Sequence, residues 1–320
     1  PELSEPLERP GRHGPCPVHG GQDGFRLFMD ANDTGGAICN TCGPRSDGLA
    51  LLRWLKGWSF PETVAAVAAM VGAGPDAAIP RAHFTRPSPA ADPERRARDQ
   101  RRALHALEGV WARGVPLTTE AGAPARLYLQ RRGIDSIPDP SRVRCHPGLG
   151  YYEQVNGKSE RIGTYPCLLA RYTDAKDGLV TLQRTYLSED GDKASVREPK
   201  KAMRAAAPMP GGCVRLAPAG WEVGIAEGVE TALAVQQRAE MPVWATLSAT
   251  LLEIWTPPAG VRLVIIWADN DRSGRGQEAA ETLRRRLEAR GIGAQVNLPP
   301  GPVPIGRKSV DWADALAPTP

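Results

Sequence analysis

Apolar positions along this chain switch between a helical period and a strand period, and the switches divide it into regions. Over residues 46–72, Trp54, Leu55, Trp58, Val64, Val67, Ala68 and Val71 recur at near-helical spacing, and Ser59-Phe60-Pro61-Glu62 predicts the start of a second helix there. Large apolar residues then nearly vanish across 73–93 in favour of Ala, Pro and Gly, which predicts a flexible, partly extended linker. A basic helix is expected from Pro93 to about Arg113, and another over 123–132 that Gly133 stops. Residues 166–173 and 179–187 read as two strands joined by the turn 174–178, so 94–217 is expected to be a basic, hairpin-rich, mostly antiparallel region. From Trp221 onward, strands at 223–226, 243–247, 261–267 and 294–298 alternate with helices at 229–239, 249–254 and 277–290. That alternation predicts a mostly parallel sheet flanked by helices over 218–320. The fold class is therefore α/β, α+β overall, with a small N-terminal module over 1–72.

Composition narrows the function classes. At 41% hydrophobic residues the chain can build a core, while 34 glycines and 31 prolines leave a large share to loops. No apolar run approaches the ~20 residues of a membrane span, and the first residues lack the apolar core of a signal peptide, so a cytoplasmic protein without membrane partners is expected. A net charge of +4 permits nucleic-acid binding without establishing it.

Two apolar runs end abruptly in carboxylate. Glu227 follows Ile225-Ala226 and precedes Gly228; Asp269 and Asp271 follow Ile265-Ile266-Trp267-Ala268. In open α/β sheets, ligand-binding groups gather at the carboxyl edge of the strands. Carboxylates crowded there repel one another unless a divalent cation neutralises them, and such hard oxygen donors suit two Mg²⁺ or Mn²⁺ ions, the apparatus of phosphodiester chemistry. Asp311 in Lys308-Ser309-Val310-Asp311 extends the acidic set, with Asp314 as its alternative. Glu230 also reads as a residue that complements a helix dipole.

Near the N-terminus, Cys16-x2-His19, nineteen residues, then Cys39-x2-Cys42 supplies four ligands in two pairs, the pattern of a closed, structural Zn²⁺ site. His13 is the alternative to His19 at a poorer spacing. Cys145, Cys167 and Cys213 are scattered and read as small buried hydrophobes. Phe25 and Phe28 between the pairs serve either a nucleic-acid contact or the core of the zinc module. Among the cations before the acidic set, Arg184, Lys193, Lys200 and Lys201 are the candidates for phosphate contacts, with a solvated basic face as the alternative. Tyr172 and Tyr186 read as base-stacking or core residues.

Taken together, residues 221–316 resemble a Toprim domain, the metal-binding fold of DnaG-type primases, topoisomerases and related enzymes. The module before it resembles the zinc-binding domain of bacterial and phage primases. The middle region is similar to plasmid- and phage-type primases through Tyr128-Leu129, Gly133-Ile134, Arg184-Thr185-Tyr186-Leu187, Gly191-x-Lys193-Ala194 and Lys200-Lys201-x-Met203. No Walker A loop follows, so the likeness does not extend to a helicase. The resemblance implies a primase that copies single-stranded DNA into short primers from nucleoside triphosphates, with a replicative helicase as a further partner. It implies that Glu227 prepares the primer 3′-hydroxyl, that Asp269 and Asp271 hold two Mg²⁺, and that Asp311 completes the cluster. A non-catalytic clamp of the RecR kind and a Toprim nuclease are the alternatives.

Overall fold

A computed structural model describes residues 8–18, 20–70, 93–155, 158–304 and 306–316. His19 and nearly all of the expected linker lie outside the described residues. The chain divides into two compact units, Pro1–Pro89 and Ala90–Pro320.

In the first unit, β1 (Gly14–Cys16), β2 (Gly20–Leu27), β3 (Ala37–Cys39) and β4 (Gly43–Arg45) form an antiparallel meander in that order. A single helical turn, α1 (Ala31–Thr34), bridges β2 and β3. The helical period after Cys42 resolves into two helices. The first, α2 (Gly48–Lys56), begins where the Asp47 carboxylate accepts the Ala50 N–H at 2.8 Å, and it stops at Gly57 with φ of 66°. The second, α3 (Phe60–Met70), begins at a capping box in which the Glu62 carboxylate accepts the Ser59 N–H at 2.7 Å. Phe25 is buried and stacks on Trp54 with ring centres 6.0 Å apart, so it serves the core of this small unit.

The second unit is built on one nine-stranded sheet. Its antiparallel part holds β5 (Val143–Val155), β6 (Lys158–Thr173), β7 (Leu179–Tyr186), β8 (Lys200–Ala202) and β9 (Cys213–Arg215). Its other part holds β10 (Glu222–Ala226), β11 (Val243–Ala245), β12 (Leu263–Trp267) and β14 (Gly293–Asn297), and the pairs β10–β11, β10–β12 and β12–β14 are parallel. The short strand β9 pairs antiparallel with both β6 and β11 and so splices the two parts into one sheet. Three residues carry no readable period, which is why alternation alone does not reveal the splice. A separate two-residue ladder joins β13 (Asn270–Asp271) to β15 (Ser309–Val310).

Helices cover both faces of the parallel part. Val223 and Ile225 of β10 point into a core with Val264, Ile266, Ala279, Leu283 and Leu287, packed by α7 (Ala249–Ile254) and α8 (Arg275–Glu288). Ala226 points the opposite way, into a core with Tyr128, Leu129, Val229, Leu233 and Ala313, packed by α5 (Ala123–Arg131), α6 (Val229–Ala239) and α9 (Trp312–Leu316). This strand alternation is the period-2 rule applied to a sheet buried on both sides. The basic helix α4 (Pro93–Ala112) packs Leu107 with Tyr151, Leu169, Leu182 and Tyr186 over the antiparallel part. Tyr172 and Tyr186 are both fully buried, so the core role holds for each.

Gly224, mid-strand in β10, is required by close packing. A Cβ there would lie 2.8 Å from Val243 Cγ2 and 3.0 Å from Trp267 Nε1. Gly224→Ala is expected to lower the unfolding free energy by about 1–3 kcal/mol through overpacking. Urea unfolding of the purified variant measures this directly.

Candidate metal cleft and zinc site

The carboxyl ends of β10 and β12 lie side by side, with Ala226 paired to Trp267. Glu227 leaves the first strand and Asp269 the second, so the parallel register alone brings the two acids to one edge. The ladder between β13 and β15 sets Ser309 opposite Asp271 and returns the chain so that Asp311 joins them. Glu227, Asp269 and Asp311 line a cleft of about 280 Å³ together with Gln183, Lys200, Glu230 and Leu247. Leu247 has a φ of 74°, a left-handed conformation unusual for a bulky residue, and its N–H donates to the Glu227 carbonyl at 2.8 Å.

The electrostatics of the cleft are uneven. Burial, reinforced by the Asp311 and Glu227 charges, pushes the Asp269 carboxyl up to about 7 against a hydrogen bond from Thr231 Oγ1 at 3.2 Å. Glu227 is also raised, by burial first and by Asp271 second. Glu230 behaves oppositely. Burial opposes its ionisation, but Lys200 Nζ donating at 2.6 Å and the Tyr128 hydroxyl donating at 3.0 Å hold it down at about 2. The sequence signal for this residue, an acid in the first turn of a helix, understates it. Glu230 is a buried cleft acid whose partners come from 102 and 30 positions away in the chain.

Asp271 does not line the cleft; it edges it and acts on Glu227 through space. Its carboxylate accepts the Ser273 and Gly276 N–H groups, each at 2.8 Å, at the start of α8. Burial opposes the charge, but the Ser273 hydroxyl and these backbone donors outweigh it and hold the carboxyl below its ordinary value. Asp311 and Asp314 are distinguished by place. Arg132, just past α5, donates to Asp311 Oδ2 at 2.5 Å and to Asp314 Oδ1 at 2.9 Å. Asp314 also pairs with Arg307 at 3.1 Å and does not line the cleft. Asp311 does, while its other oxygen accepts the Asp314 N–H at the start of α9.

Of the four candidate cations, only Lys200 lines the cleft. Its charge is favoured by Glu230 against the cost of burial, and its side chain keeps 35% of its surface open. Lys201, next in β8, points to the other face, where Nζ donates to the Tyr152 carbonyl at 2.9 Å and sits 3.8 Å from the Tyr151 ring centre. Arg184, paired across to Lys201, donates to the Tyr186 hydroxyl and to the Ala202 carbonyl, each at 2.9 Å. Burial and Arg184 together depress the Lys201 ammonium. Lys193 is exposed and pairs through its backbone with Leu187. Strand alternation places Lys200 and Lys201 on opposite faces, a division that charge counting misses.

In the first unit, the thiols of Cys16, Cys39 and Cys42 lie within 4.8 Å of one another. Burial, then the neighbouring Cys39 and Cys16, push the Cys42 thiol up to about 12. Three thiols this close fit a site completed by a cation, because a bound metal offsets the repulsion among neighbouring thiolates. His13 does not join them. Its Nδ1 bonds the Asp23 carbonyl and its Nε2 bonds Arg26, each at 2.8 Å. His19 lies outside the described residues.

Both sites generate tests. The folded chain holds a proton on Asp269 up to about pH 7, whereas the unfolded carboxyl releases it near 3.8. Between these values the folded state binds more protons, so this group lowers stability as pH rises. Metal-free protein is expected to melt at a lower temperature at pH 8 than at pH 5, Asp269→Asn to flatten that fall, and Mg²⁺ or Mn²⁺ to raise melting more at pH 8. Thermal melts with and without chelator read all three. Removing tightly bound zinc with a strong chelator is expected to raise amide exchange throughout residues 8–70 and leave 143–316 protected, as followed by hydrogen-exchange mass spectrometry.

Comparison with known proteins gives three matches along the chain. Residues 11–49 match the zinc-binding domain of primase-helicase, residues 222–319 match the Toprim domain, and residues 100–216 match a domain of unknown function (DUF7146). Among solved structures, the primase fragment of the bacteriophage T7 primase-helicase protein is 14% identical, with 95% of this chain and 93% of that one covered and a TM-score of 0.33. The DnaG primase catalytic domain bound to single-stranded DNA is 14% identical, covers 66% and 74%, and has a TM-score of 0.43. The Aquifex aeolicus primase, with its zinc-binding and RNA polymerase domains, is 13% identical, covers 96% and 78%, and has a TM-score of 0.38. By its domain matches, the chain joins a primase-type zinc-binding domain to a Toprim domain, the architecture of a zinc-binding Toprim primase.

Proposed function

We propose that this chain is a DNA primase that makes short oligonucleotide primers on single-stranded DNA by nucleotidyl transfer. The observation that carries the reading is the meeting of Glu227, Asp269 and Asp311 with Lys200 in one cleft at the carboxyl edge of a parallel sheet. The raised Asp269 and Glu227 carboxyls mark uncompensated negative charge, and oxygen donors in that condition fit divalent cations. Glu227, Asp269, Asp271 and Asp311 are the residues that would hold Mg²⁺ or Mn²⁺. When bound, such ions supply charge neutralisation for the triphosphate and activation of the attacking hydroxyl.

The chain's own residues then divide the remaining work. A Glu227 carboxylate oxygen, at the end of β10, accepts the proton of the primer 3′-hydroxyl. Lys200, partly open to the cleft, meets a phosphate of the incoming nucleotide while Glu230 keeps its ammonium charged and aimed. Thr231 orients Asp269 through its hydroxyl. Arg132 fixes Asp311 at the cleft wall. The zinc-bearing module, residues 1–72, selects where on the template synthesis starts.

The test is primer synthesis from nucleoside triphosphates on a library of short single-stranded templates. Asp269→Ala and Asp271→Ala are each expected to lower the rate by at least about a hundredfold, the scale for removing charge stabilisation in a water-poor site. Wild-type inactivity across templates and metals overturns the reading. Template degradation in the absence of nucleotides would replace it with the nuclease.

A further inference from the structure

Gln183 lines the acidic cleft with no partner of its own. It stands in the middle of β7, between Ala170 of β6 and Ala202 of β8, and keeps only 8% of its surface exposed. Among the described residues its side-chain amide makes no hydrogen bond. The other polar side chains of the cleft wall are engaged: Thr231 with Asp269, Lys200 with Glu230, Asp311 with Arg132, and Glu227 with the Ala249 N–H. Neither amide atom of Gln183 is fully sealed, so both reach the space of the cleft. Buried polar groups in folded proteins are nearly always paired, because an unpaired one forfeits its hydration for nothing. An amide held this way is waiting for a ligand.

The neighbours of Gln183 narrow what that ligand offers. The pairings Gln183–Ala202 and Thr185–Lys200 make Lys200 its diagonal neighbour on the same face, a backbone separation of about 7–8 Å. An anionic group on the Lys200 ammonium therefore places whatever is bonded next to it near the amide. At about 280 Å³ the cleft is smaller than the ~300–1,000 Å³ pockets that enclose a whole small molecule, so it takes in only part of a nucleotide. The part that follows the phosphates is the sugar, and the base stays outside.

The chemistry of the amide agrees with a sugar. Nε2 donates and Oε1 accepts, side by side. A phosphate oxygen only accepts and a metal ion only takes up an electron pair, so either would use half of the group. A hydroxyl both donates and accepts and uses all of it. We propose that Gln183 hydrogen-bonds a ribose hydroxyl of the incoming nucleotide and so makes the cleft sensitive to the sugar. The proposal rests on the primase reading for taking the ligand to be a nucleoside triphosphate.

The full zinc-loaded chain, with Mg²⁺ and no template, is titrated calorimetrically with ATP, 2′-deoxy-ATP and 3′-deoxy-ATP. Wild type is expected to bind one of the deoxy analogues about three- to tenfold more weakly than ATP, the scale of one neutral hydrogen bond, and that analogue identifies the hydroxyl. Gln183→Met keeps the length of the side chain and removes both hydrogen-bonding atoms. It is expected to weaken ATP by about the same factor and to abolish the preference, because the amide and the hydroxyl act as one pair. An equal loss for all three nucleotides assigns the amide to phosphate or metal and overturns the proposal. A wild type that binds all three alike, or none, also overturns it. Should Gln183→Met fail to fold, Gln183→Asn, which withdraws the amide by one methylene, takes its place with the same expectation. Primer synthesis whose preference among the three nucleotides is the same in wild type and variant removes the sugar contact and keeps the primase reading. A sugar preference in binding that the variant abolishes, in a wild type that makes no primers on any template, does the reverse.

Discussion

Repulsion among carboxylates at one sheet edge is the constraint around which the second unit is arranged. Parallel pairing of β10 and β12 leaves no freedom in the matter: two strands that end side by side deliver Glu227 and Asp269 to the same place. Burial makes their charges costly there, and each nearby feature answers that cost to a different degree. Lys200 answers it for Glu230, the backbone at the start of α8 for Asp271, and Arg132 for Asp311 and Asp314. Asp269 is left with a threonine hydroxyl and more distant help, and burial beside Asp311 and Glu227 accordingly pushes its carboxyl up to about 7.

Neighbouring acids thus hold different charge states in one small cleft. Glu230 is fully ionised and locked between a tyrosine and a lysine, while Asp269 keeps a proton near neutrality. Environments that separate like groups in this way are the mark of a functional site more than of a structural ion pair. The zinc unit applies the same physics with sulfur: three thiols are crowded together, burial and its neighbours push the Cys42 thiol up, and a cation would resolve the conflict.

Much of this was legible in the residue pattern. The runs Ile225-Ala226 and Ile265-Ile266-Trp267 are long and apolar enough to announce buried strands, and helices 229–239 and 249–254 have the boundaries their period implies. What was not legible depends on contacts far apart in the chain. The splice β9 and the ladder of β13 with β15 are three and two residues long, too short for any period. Glu230 owes its role to Tyr128 and Lys200, and Asp311 to Arg132, pairings that no local spacing encodes. The aromatic residues Tyr172 and Tyr186 read ambiguously because burial, which decides their role, is a property of the folded chain.

The adjacent lysines of β8 have one more consequence. This edge strand is three residues long and is held to β7 by the pairings Thr185–Lys200, Arg184–Lys201 and Gln183–Ala202. A slip of one residue in a pleated strand exchanges its faces. Slippage in one direction would carry Lys201 into the place of Lys200, and the cleft would still receive an ammonium group. Slippage in the other direction would bring Pro199 there, with no cation. The tandem therefore acts as a one-sided safeguard on the charge: the ammonium survives one misalignment, and the opposite one forfeits the ion pair with Glu230.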